Sequence, residues 1–489
     1  MEGWCSERTG AVTLLLDEAT DAARPALVDA ASGAVWGYGR LRAVVREMAS
    51  RLNRPHKALV LCLCRNDPAT VIGYLASLEA GHAVMLVDAA VRGEVLADLL
   101  ARYRPELVLA SAEAAAPTAA TLDDEYRPVD LGPDVVAWGR SDATPEPVHQ
   151  DLAILMPTSG TTGSPKFVRL AARAVAGNAS VIVTALAIDA GDRAVTSLPL
   201  HYSYGLSVLN SHLAAGASVV LTDRGPLDRV FWDVVRERRC TSFAGVPYSY
   251  QLLERIGFDR FDLPDLKTMT QAGGKLDAGR VEHFHGVMSA RGGRFLVMYG
   301  QTEATARIAV LPSDSLPEKL GSAGRALPGG RLEIEVDGAP AERSDVTGEI
   351  VYSGPNVMMG YATGRADLSR GDELGGRLHT GDLGYLDADG YLYISGRTKR
   401  ISKVSGYRVD LDEVEARLAA NGSTAVVGTD AVIVAFCEYG DADSLQLLRM
   451  ELSRTLSLHY SAIQFRRVDA LPRTASGKID YAALEGLVR

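Results

Sequence analysis

ILMPTSGTTGSPKFVR, residues Ile154–Arg169, is the most informative segment of this 489-residue chain. It begins with an apolar run, Ile154–Met156, and continues into a loop rich in Ser, Thr and Gly that ends in Pro-Lys. Gly160 and Gly163 allow the backbone to approach a ligand closely. Backbone N–H groups and neighbouring hydroxyls of such a loop can donate hydrogen bonds to phosphate oxygens. The segment therefore predicts a phosphate site at the end of a strand in an α/β protein.

The predicted phosphate contacts come from the loop itself and from the lysine that follows it, which adds a point charge. They are Thr158, Ser159, Gly160, Thr161, Thr162, Gly163 and Lys166. The common P-loop pattern G-x-x-x-x-G-K-[ST] is absent, which disfavours ordinary P-loop kinase or GTPase chemistry. A flexible Ser/Gly linker is the alternative, and the position directly after an apolar strand argues against it.

On both sides of the loop, short apolar runs alternate with helical patterns. Examples are the predicted strands Ala58–Leu63 and Ala83–Val87, with the helix Asp67–Glu79 between them. Such alternation predicts parallel sheets covered by helices. The Ala-rich segment Ser111–Thr121 is expected to be a surface loop. From about residue 320 the pattern becomes that of a small antiparallel β subdomain.

The predicted fold class is α/β, with a large N-terminal body of two helix-covered sheet lobes plus the β subdomain. A small, mobile α+β domain follows it. The predicted boundaries are 1–396 for the body (β subdomain about 320–396), 397–403 for a hinge, and 404–489 for the C-terminal lid domain.

Composition excludes several function classes. Lys and Arg number 51 and Asp and Glu number 61, so the net charge of −10 gives no broad attraction to a nucleic-acid backbone. No run of 18 apolar residues is present, so no membrane span is expected. Five scattered cysteines and a start without a basic and then apolar segment favour a reduced, cytoplasmic protein.

Further motifs follow the phosphate loop in a fixed order, and with it they resemble the adenylate-forming superfamily. They are Pro199–Gly205 (PLHYSYG), Ala272–Leu276 (AGGKL), Tyr299–Glu303 (YGQTE), Gly348–Tyr361, His379–Asp382 (HTGD), Gly396–Glu415 and Pro472–Lys478 (PRTASGK). That superfamily comprises acyl-CoA synthetases, adenylation domains of nonribosomal peptide synthetases, and firefly luciferase. The resemblance implies two half-reactions: a carboxylate attacks MgATP to give acyl-AMP and pyrophosphate, and a nucleophile then displaces AMP.

The resemblance also implies roles for individual residues. Glu303 offers a hard oxygen ligand for Mg²⁺, and Thr302 offers a hydroxyl for phosphate. Lys478 is expected to bridge the substrate carboxylate and the α-phosphate. Lys399 marks the expected hinge, and Lys403 matches a lysine that some members use after rotation. The remaining nucleotide contacts implied are Gly274, Tyr299, Gly300, Gln301, Asp382 and Arg397.

The acid and the acceptor are less well defined. Tyr202 occupies the aromatic gate position, where many CoA ligases have His. Ser203 stands where amino-acid-activating members place Asp, and Ser cannot neutralise an ammonium, so an α-amino acid is disfavoured. Ala272 and Gly273 leave room for a flat or bulky acid, which favours an aromatic or alicyclic carboxylic acid.

Three acceptors stay open at this point: CoA, the phosphopantetheine of a separate carrier protein, or a small amine that would give an amide. The chain ends eleven residues after Lys478, so no fused carrier domain is expected. Two rival functions are a kinase-like ATPase, which would produce ADP, and an inactive binding scaffold, which would lack Lys478, Glu303 or Asp382.

Overall fold

The computed structural model describes residues 12, 15–91, 93–141, 146–157, 166–397, 401–404, 407–429, 431–472, 479 and 481–488. These residues fall into two compact units. The first unit runs to Pro157 and continues through Lys166–Thr380 and Gly384–Ile394. The second contains Gly381–Leu383 and the part of the chain from Ser395 onward.

Two helix-covered sheets form most of the first unit. Within the described residues, the first sheet has eight strands. In chain order they are Leu59–Cys64, Ala83–Asp88, Leu107–Ala110, Tyr126–Val129, Val136–Arg140, Leu152–Pro157, Phe167–Ala171 and Gly360–Ala362. Its centre is parallel, because Leu59–Cys64 pairs in parallel with two neighbours, and its two edges are antiparallel. The phosphate-loop segment thus leaves one strand of this sheet and enters the next.

The second sheet has nine strands within the described residues. In chain order they are Pro25–Asp29, Val35–Gly37, Arg193–Val195, Ser218–Leu221, Ser242–Gly245, Thr268–Gln271, Arg294–Tyr299, Ala309–Leu311 and Arg325–Ala326. The central strands are parallel. Strand Arg294–Tyr299 carries the YGQTE motif at its carboxyl end, which is where ligands of open α/β sheets bind.

The helices of the first unit cover these sheets. They are Tyr38–Leu52, Pro68–Glu79, Gly93–Tyr103, Ala112–Ala119, Ala172–Leu186, Ser203–Ala214, Arg229–Glu237, Pro247–Arg255 and Ala278–Ala290. Asp67 caps the second of them, since its carboxylate accepts a hydrogen bond from the Thr70 backbone N–H at 2.8 Å. Among the described residues, no helix is both long and apolar enough to cross a bilayer.

A third sheet completes the first unit at its C-terminal side. Its strands are Arg331–Val336, Ala339–Pro340, Gly348–Ser353, Arg377–Leu386 and Leu392–Arg397. The pairing of Arg331–Val336 with Gly348–Ser353 is antiparallel, as the alternating pattern predicts. The last strand runs past Ile394 into the second unit.

The second unit is a small α+β body. It contains the hairpin Ile401–Val404 and Tyr407–Asp410, and a sheet of Thr424–Gly428, Ile433–Cys437 and Ile463–Arg467. Its helices are Leu411–Leu418, Ala442–Leu456 and Tyr481–Gly486. The apolar face of the long helix packs on the sheet through Leu445, Leu452 and Leu456.

The prediction of a surface loop over Ser111–Thr121 is wrong, because residues Ala112–Ala119 form a helix. Ala has the highest helix propensity, and the combined propensity of the alanines in this segment outweighs the free-energy cost of Pro117 near the helix end. Ser111 has an extended backbone at the N-cap position. Thr118 donates its hydroxyl to the Ala114 carbonyl at 2.7 Å, which satisfies that polar group inside the helix.

A buried ion pair ties the first sheet to the segment that follows strand Gly360–Ala362. Both nitrogens of the Arg365 fork donate to the Glu106 carboxylate, at 2.6 and 3.0 Å. Glu106 is fully buried and Arg365 is 5 % exposed. The same carboxylate accepts the Leu59 backbone N–H at 2.8 Å, so removing the arginine would leave a buried, uncompensated charge.

We expect Arg365→Met to lower the free energy of unfolding by about 3–5 kcal/mol, the range measured for broken buried pairs. Arg102→Met is the matched control, because Arg102 pairs with Asp98 on an exposed helix surface. Its expected cost is below about 1 kcal/mol. Urea unfolding of both variants measures the difference. Equal losses would show that Arg365 is not an important buried contact.

Candidate active site

The YGQTE turn leaves strand Arg294–Tyr299 and is held in one conformation by crowding. Gly300 has no room for a side chain, because a Cβ atom there would lie 1.8 Å from the Ala306 carbonyl oxygen. Thr305 and Ala306 have φ of +52° and +95°, which is strained for residues other than glycine. Strain of this kind persists only where the surroundings fix it, and it concentrates at functional sites.

Asn356 fixes this turn. Its side-chain amide donates to the Ala304 carbonyl at 2.7 Å and to the Arg307 carbonyl at 3.0 Å. Its own oxygen accepts the Tyr352 hydroxyl at 2.7 Å, and its backbone carbonyl accepts the Thr305 hydroxyl at 2.6 Å. Asn356 lies inside the Gly348–Tyr361 motif, but nothing in the sequence pattern indicated its role.

Glu303 and Lys166, two of the predicted site residues, meet on the same tyrosine. The Tyr361 hydroxyl donates to Glu303 Oε1 at 3.0 Å. The Lys166 ammonium lies 3.3 Å from the centre of the Tyr361 ring, a cation–π contact. This geometry follows from the sheet, because strand Phe167–Ala171 begins directly after Lys166 and pairs with Gly360–Ala362. Tyr361 is therefore a site residue that the sequence motif contained without an assigned role.

The Glu303 side chain is well suited to a hard cation. The residue is 6 % exposed, and its Oε2 atom is buried without a hydrogen-bond partner among the described residues. An orphaned carboxylate oxygen inside a protein is costly unless a ligand compensates it. Within the described residues, no three His, Cys, Asp or Glu side chains lie together in a group that could hold a metal ion. One carboxylate fits Mg²⁺, which commonly takes its other ligands from phosphates and water.

Thr302 lies beside the predicted substrate residue Ser203. Their hydroxyl oxygens are 3.0 Å apart, and both residues are buried. Ser203 is the first residue of helix Ser203–Ala214, which follows strand Arg193–Val195 in the chain. The PLHYSYG motif therefore places Ser203 at the carboxyl end of the second sheet. The phosphate-contact and substrate predictions therefore fall on neighbouring side chains.

Tyr202, Gly273 and Ala272 form one wall. Gly273 has a φ of +82°, and a Cβ atom there would lie 2.7 Å from the Tyr202 hydroxyl oxygen. Ala272 belongs to an apolar cluster with Tyr204 and Met298, against which Tyr202 packs. We refer below to Tyr202, Ala272, Gly273 and Met298 as the Tyr202 wall.

The other predicted residues are placed as follows. Gly274 accepts a hydrogen bond from the Gln271 amide at 2.7 Å. Tyr299 is buried, and Gln301 is half-buried with its amide 3.5 Å from the Thr380 carbonyl oxygen. Asp382 is buried within strand Arg377–Leu386.

Arg397 ends strand Leu392–Arg397, and Lys403 is half-buried in the hairpin of the second unit. Several predictions lie outside the described residues and stay predictions. They are Thr158, Ser159, Gly160, Thr161, Thr162, Gly163, Lys399 and Lys478.

Tyr361 supplies a test of this geometry. Tyr361→Phe keeps the ring under Lys166 and removes the hydroxyl from Glu303, so we expect turnover in the predicted adenylate-forming reaction to fall about tenfold. Tyr361→Leu also removes the cation–π contact, and we expect it to raise the ATP KM about two- to fivefold more than the Phe variant. Steady-state kinetics over a range of ATP and Mg²⁺ concentrations measure both effects. Identical kinetics for the two variants would contradict a separate role for the ring.

Comparison with known proteins identifies the family. Residues 17–362 match the family described as AMP-binding enzyme. The indoleacetate–CoA ligase of Aromatoleum aromaticum is 29% identical over 478 residues, which covers 90% of this chain and 91% of that protein. The 2-succinylbenzoate–CoA ligase of Bacillus velezensis is 32% identical over 340 residues, covering 67% of each chain. Among solved structures, the amide bond synthetase McbA from Marinactinospora thermotolerans has a TM-score of 0.79 and 26% identity, covering 98% of this chain and 99% of that one.

The chain belongs to the AMP-binding enzyme family, so the predicted adenylate-forming resemblance is confirmed. The predicted fold class is also confirmed: two helix-covered sheets and a β subdomain are followed by a small α+β body. The class of activity is that of AMP-forming acid ligases, which activate a carboxylic acid with ATP and then transfer the acyl group.

Proposed function

We propose that this protein converts an aromatic or alicyclic carboxylic acid to its acyl-adenylate and then transfers the acyl group to a thiol. The observation that carries the proposal is the arrangement of Lys166, Tyr361 and the buried Glu303 carboxylate, with the Thr302 hydroxyl adjacent in sequence. A positive charge and a hard anionic ligand on one bridging residue suit the phosphates and the Mg²⁺ of MgATP.

In the first half-reaction, a carboxylate oxygen of the acid forms a bond to the α-phosphorus of ATP. The bond between that phosphorus and the β-phosphate bridging oxygen breaks, and pyrophosphate leaves. Lys166 and Thr302 would bind phosphate oxygens, and Glu303 would hold Mg²⁺, which supplies charge neutralisation when bound. We propose the loop 158–163 and Lys478 as further phosphate contacts, the latter between the carboxylate and the α-phosphate.

In the second half-reaction, the acceptor attacks the acyl carbon, loses its proton, and AMP leaves. Lys403 and the hinge at Lys399 are proposed to act in this step, with a boundary between body and lid domain at 397–403. CoA and carrier-protein phosphopantetheine are the proposed thiol acceptors. Transfer to a small amine is the second candidate, and the likeness to McbA, an amide bond synthetase, favours retaining it.

A pyrophosphate-exchange screen over a library of aromatic and alicyclic acids tests the first step. We expect acid-dependent exchange and AMP, with no ADP, as the nucleotide product. Production of ADP would contradict adenylation. Mass spectrometry of reactions supplied with CoA, with a pantetheine-loaded carrier protein, or with an amine then separates thioester from amide formation.

A further inference from the structure

Asn66 forms a hydrogen-bonded bridge between the two large sheets. It lies two residues after strand Leu59–Cys64 of the first sheet. Its carboxamide nitrogen donates to the Thr222 carbonyl at 3.0 Å and to the Leu198 carbonyl at 3.4 Å, and its oxygen accepts the Leu200 N–H at 3.2 Å. Two carbonyls at one end and an N–H at the other fix the orientation of this carboxamide. We call this set of contacts the Asn66 bridge.

The three partners of Asn66 lie at the carboxyl ends of parallel strands in the second sheet. Thr222 directly follows strand Ser218–Leu221, and Leu198 and Leu200 lie in the segment after strand Arg193–Val195. The YGQTE turn follows a strand that runs in the same direction in this sheet. Ligands of open α/β sheets bind at this edge. The Asn66 bridge therefore lies along the edge of the sheet that carries the candidate active site.

The backbone beside Asn66 is held by a carboxylate of the second sheet. The Asn66 N–H donates to Asp223 Oδ1 at 2.9 Å, and a terminal nitrogen of Arg65 lies 2.6 Å from Asp223 Oδ2. Asp223 follows Thr222 in the chain, so it reinforces the contact that the Asn66 side chain makes there. The Asn66 carboxamide is consequently presented to the second sheet from a fixed position.

The segment that Asn66 holds is a turn at the start of the PLHYSYG motif. The Tyr202 N–H donates to the Pro199 carbonyl at 3.1 Å, which closes the turn. Within the described part of the chain, no main-chain carbonyl accepts the Leu200 N–H inside this turn, so Asn66 supplies its acceptor. On another side the turn packs closely on the following helix, because a Cβ atom at Gly205 would lie 2.2 Å from the Pro199 carbonyl oxygen.

We propose that Asn66 is a positioning residue for the acid-binding site, because it fixes the turn that sets the places of Tyr202 and Ser203. The Tyr202 wall begins at the last residue of this turn, and the hydroxyl oxygen of Ser203 lies 3.0 Å from that of Thr302. A displacement of about 1 Å at groups that position a substrate can lower activity by about 100-fold. This inference rests on the proposed function for the identity of the ligand, and it assigns Asn66 no contact with the acid.

Asn66→Ala removes the three side-chain hydrogen bonds. For an acid accepted in the pyrophosphate-exchange screen, we expect this variant to raise the KM of the acid about tenfold and the KM of ATP less than about threefold. Tyr74→Phe is the matched control, since the Tyr74 hydroxyl accepts the Asn210 amide at 3.1 Å between helices Pro68–Glu79 and Ser203–Ala214. It should lower the thermal unfolding temperature and leave the KM of the acid within about twofold of wild type. An equal rise in both variants, or no rise in Asn66→Ala, would overturn the proposal.

Asn66→Asp separates hydrogen bonding from packing, because the two side chains have nearly the same shape. A carboxylate oxygen would face the Thr222 and Leu198 carbonyl oxygens in place of an N–H donor. We therefore expect the KM of the acid to rise at least as much as in Asn66→Ala. A side chain that merely fills space would tolerate this change, so wild-type kinetics in Asn66→Asp would overturn the proposal.

Hydrogen exchange at the Leu200 amide tests the Asn66 bridge without an assay of activity. In the wild-type chain we expect this amide to exchange about 100-fold or more slowly than an unprotected amide. Asn66→Ala should raise its exchange rate at least about tenfold, and Tyr74→Phe should leave it near the wild-type rate. Exchange at the unprotected rate in the wild-type chain would overturn the proposal, and that measurement requires no variant to fold.

Calorimetric titration with the aromatic and alicyclic acids of the screen, in the absence of ATP, separates this inference from the proposed function. Weaker binding of an acid to Asn66→Ala than to the wild-type chain supports the role of Asn66 even if no acid is adenylated. Equal binding to both chains would overturn that role, including in an enzyme whose adenylation of the acid is established.

Discussion

Glu303→Gln is expected to reduce acyl-adenylate formation about 100- to 1,000-fold. The amide keeps the shape of the side chain and can still accept the Tyr361 hydroxyl, which now donates to Glu303 Oε1 at 3.0 Å. It loses the negative charge, and its nitrogen cannot serve as a ligand to Mg²⁺. Pyrophosphate exchange measured against Mg²⁺ concentration should show both a lower maximum and a higher Mg²⁺ requirement.

Glu254→Gln provides the matched control for Glu303. Glu254 pairs with Arg280 and is about half exposed, so its neutralisation should leave exchange within about twofold of wild type. A Glu303→Gln enzyme with an unchanged Mg²⁺ requirement would show that this carboxylate does not hold the metal.

Lys478→Ala is expected to abolish acyl-AMP formation, with a loss of about 1,000-fold or more, and to spare attack on preformed acyl-AMP. The reason is that the ammonium is proposed to offset the negative charge that develops between carboxylate and α-phosphate. That charge is absent when the adenylate is supplied ready-made. The two half-reactions are measured separately, by pyrophosphate exchange and by product formation from synthetic acyl-AMP.

Lys403→Ala is the reciprocal variant, because Lys403 is proposed to act only after the adenylate has formed. It should keep pyrophosphate exchange and lose acyl transfer. Normal exchange by Lys478→Ala, or equal losses in both half-reactions for both variants, would contradict the proposed division of labour.

The sequence predicted the layered architecture well because each buried strand is a continuous apolar run between turn signals. Leu59–Cys64 and Ala83–Asp88 lie within one residue of their predicted bounds. The exception at Ala112–Ala119 arose where helix propensity competed with a proline and with the lack of a clear apolar face. The choice between helix and loop in such a segment depends on small differences in free energy, which the pattern of apolar and polar residues does not reveal.

Site residues could be predicted from the sequence only where the side chain itself has a functional group suited to the ligand. Glu303, Thr302 and Lys166 stand in motifs whose residue types already suit phosphate and Mg²⁺. Tyr361 and Asn356 act through partners that are distant in the chain: Tyr361 contacts Glu303 and Lys166, and Asn356 holds the backbone after Glu303.

The hydrogen bonds that hold the turn after Glu303 have a consequence for how that turn tolerates substitution. The Arg307 carbonyl is held by Asn356 at 3.0 Å and by Asn178 at 3.2 Å, so the backbone at this position is fixed independently of its side chain. Both contacts are made to the main chain, so they stay available when the residue type at position 307 changes. The nearby residues proposed to bind phosphate and metal would keep their places through such exchanges.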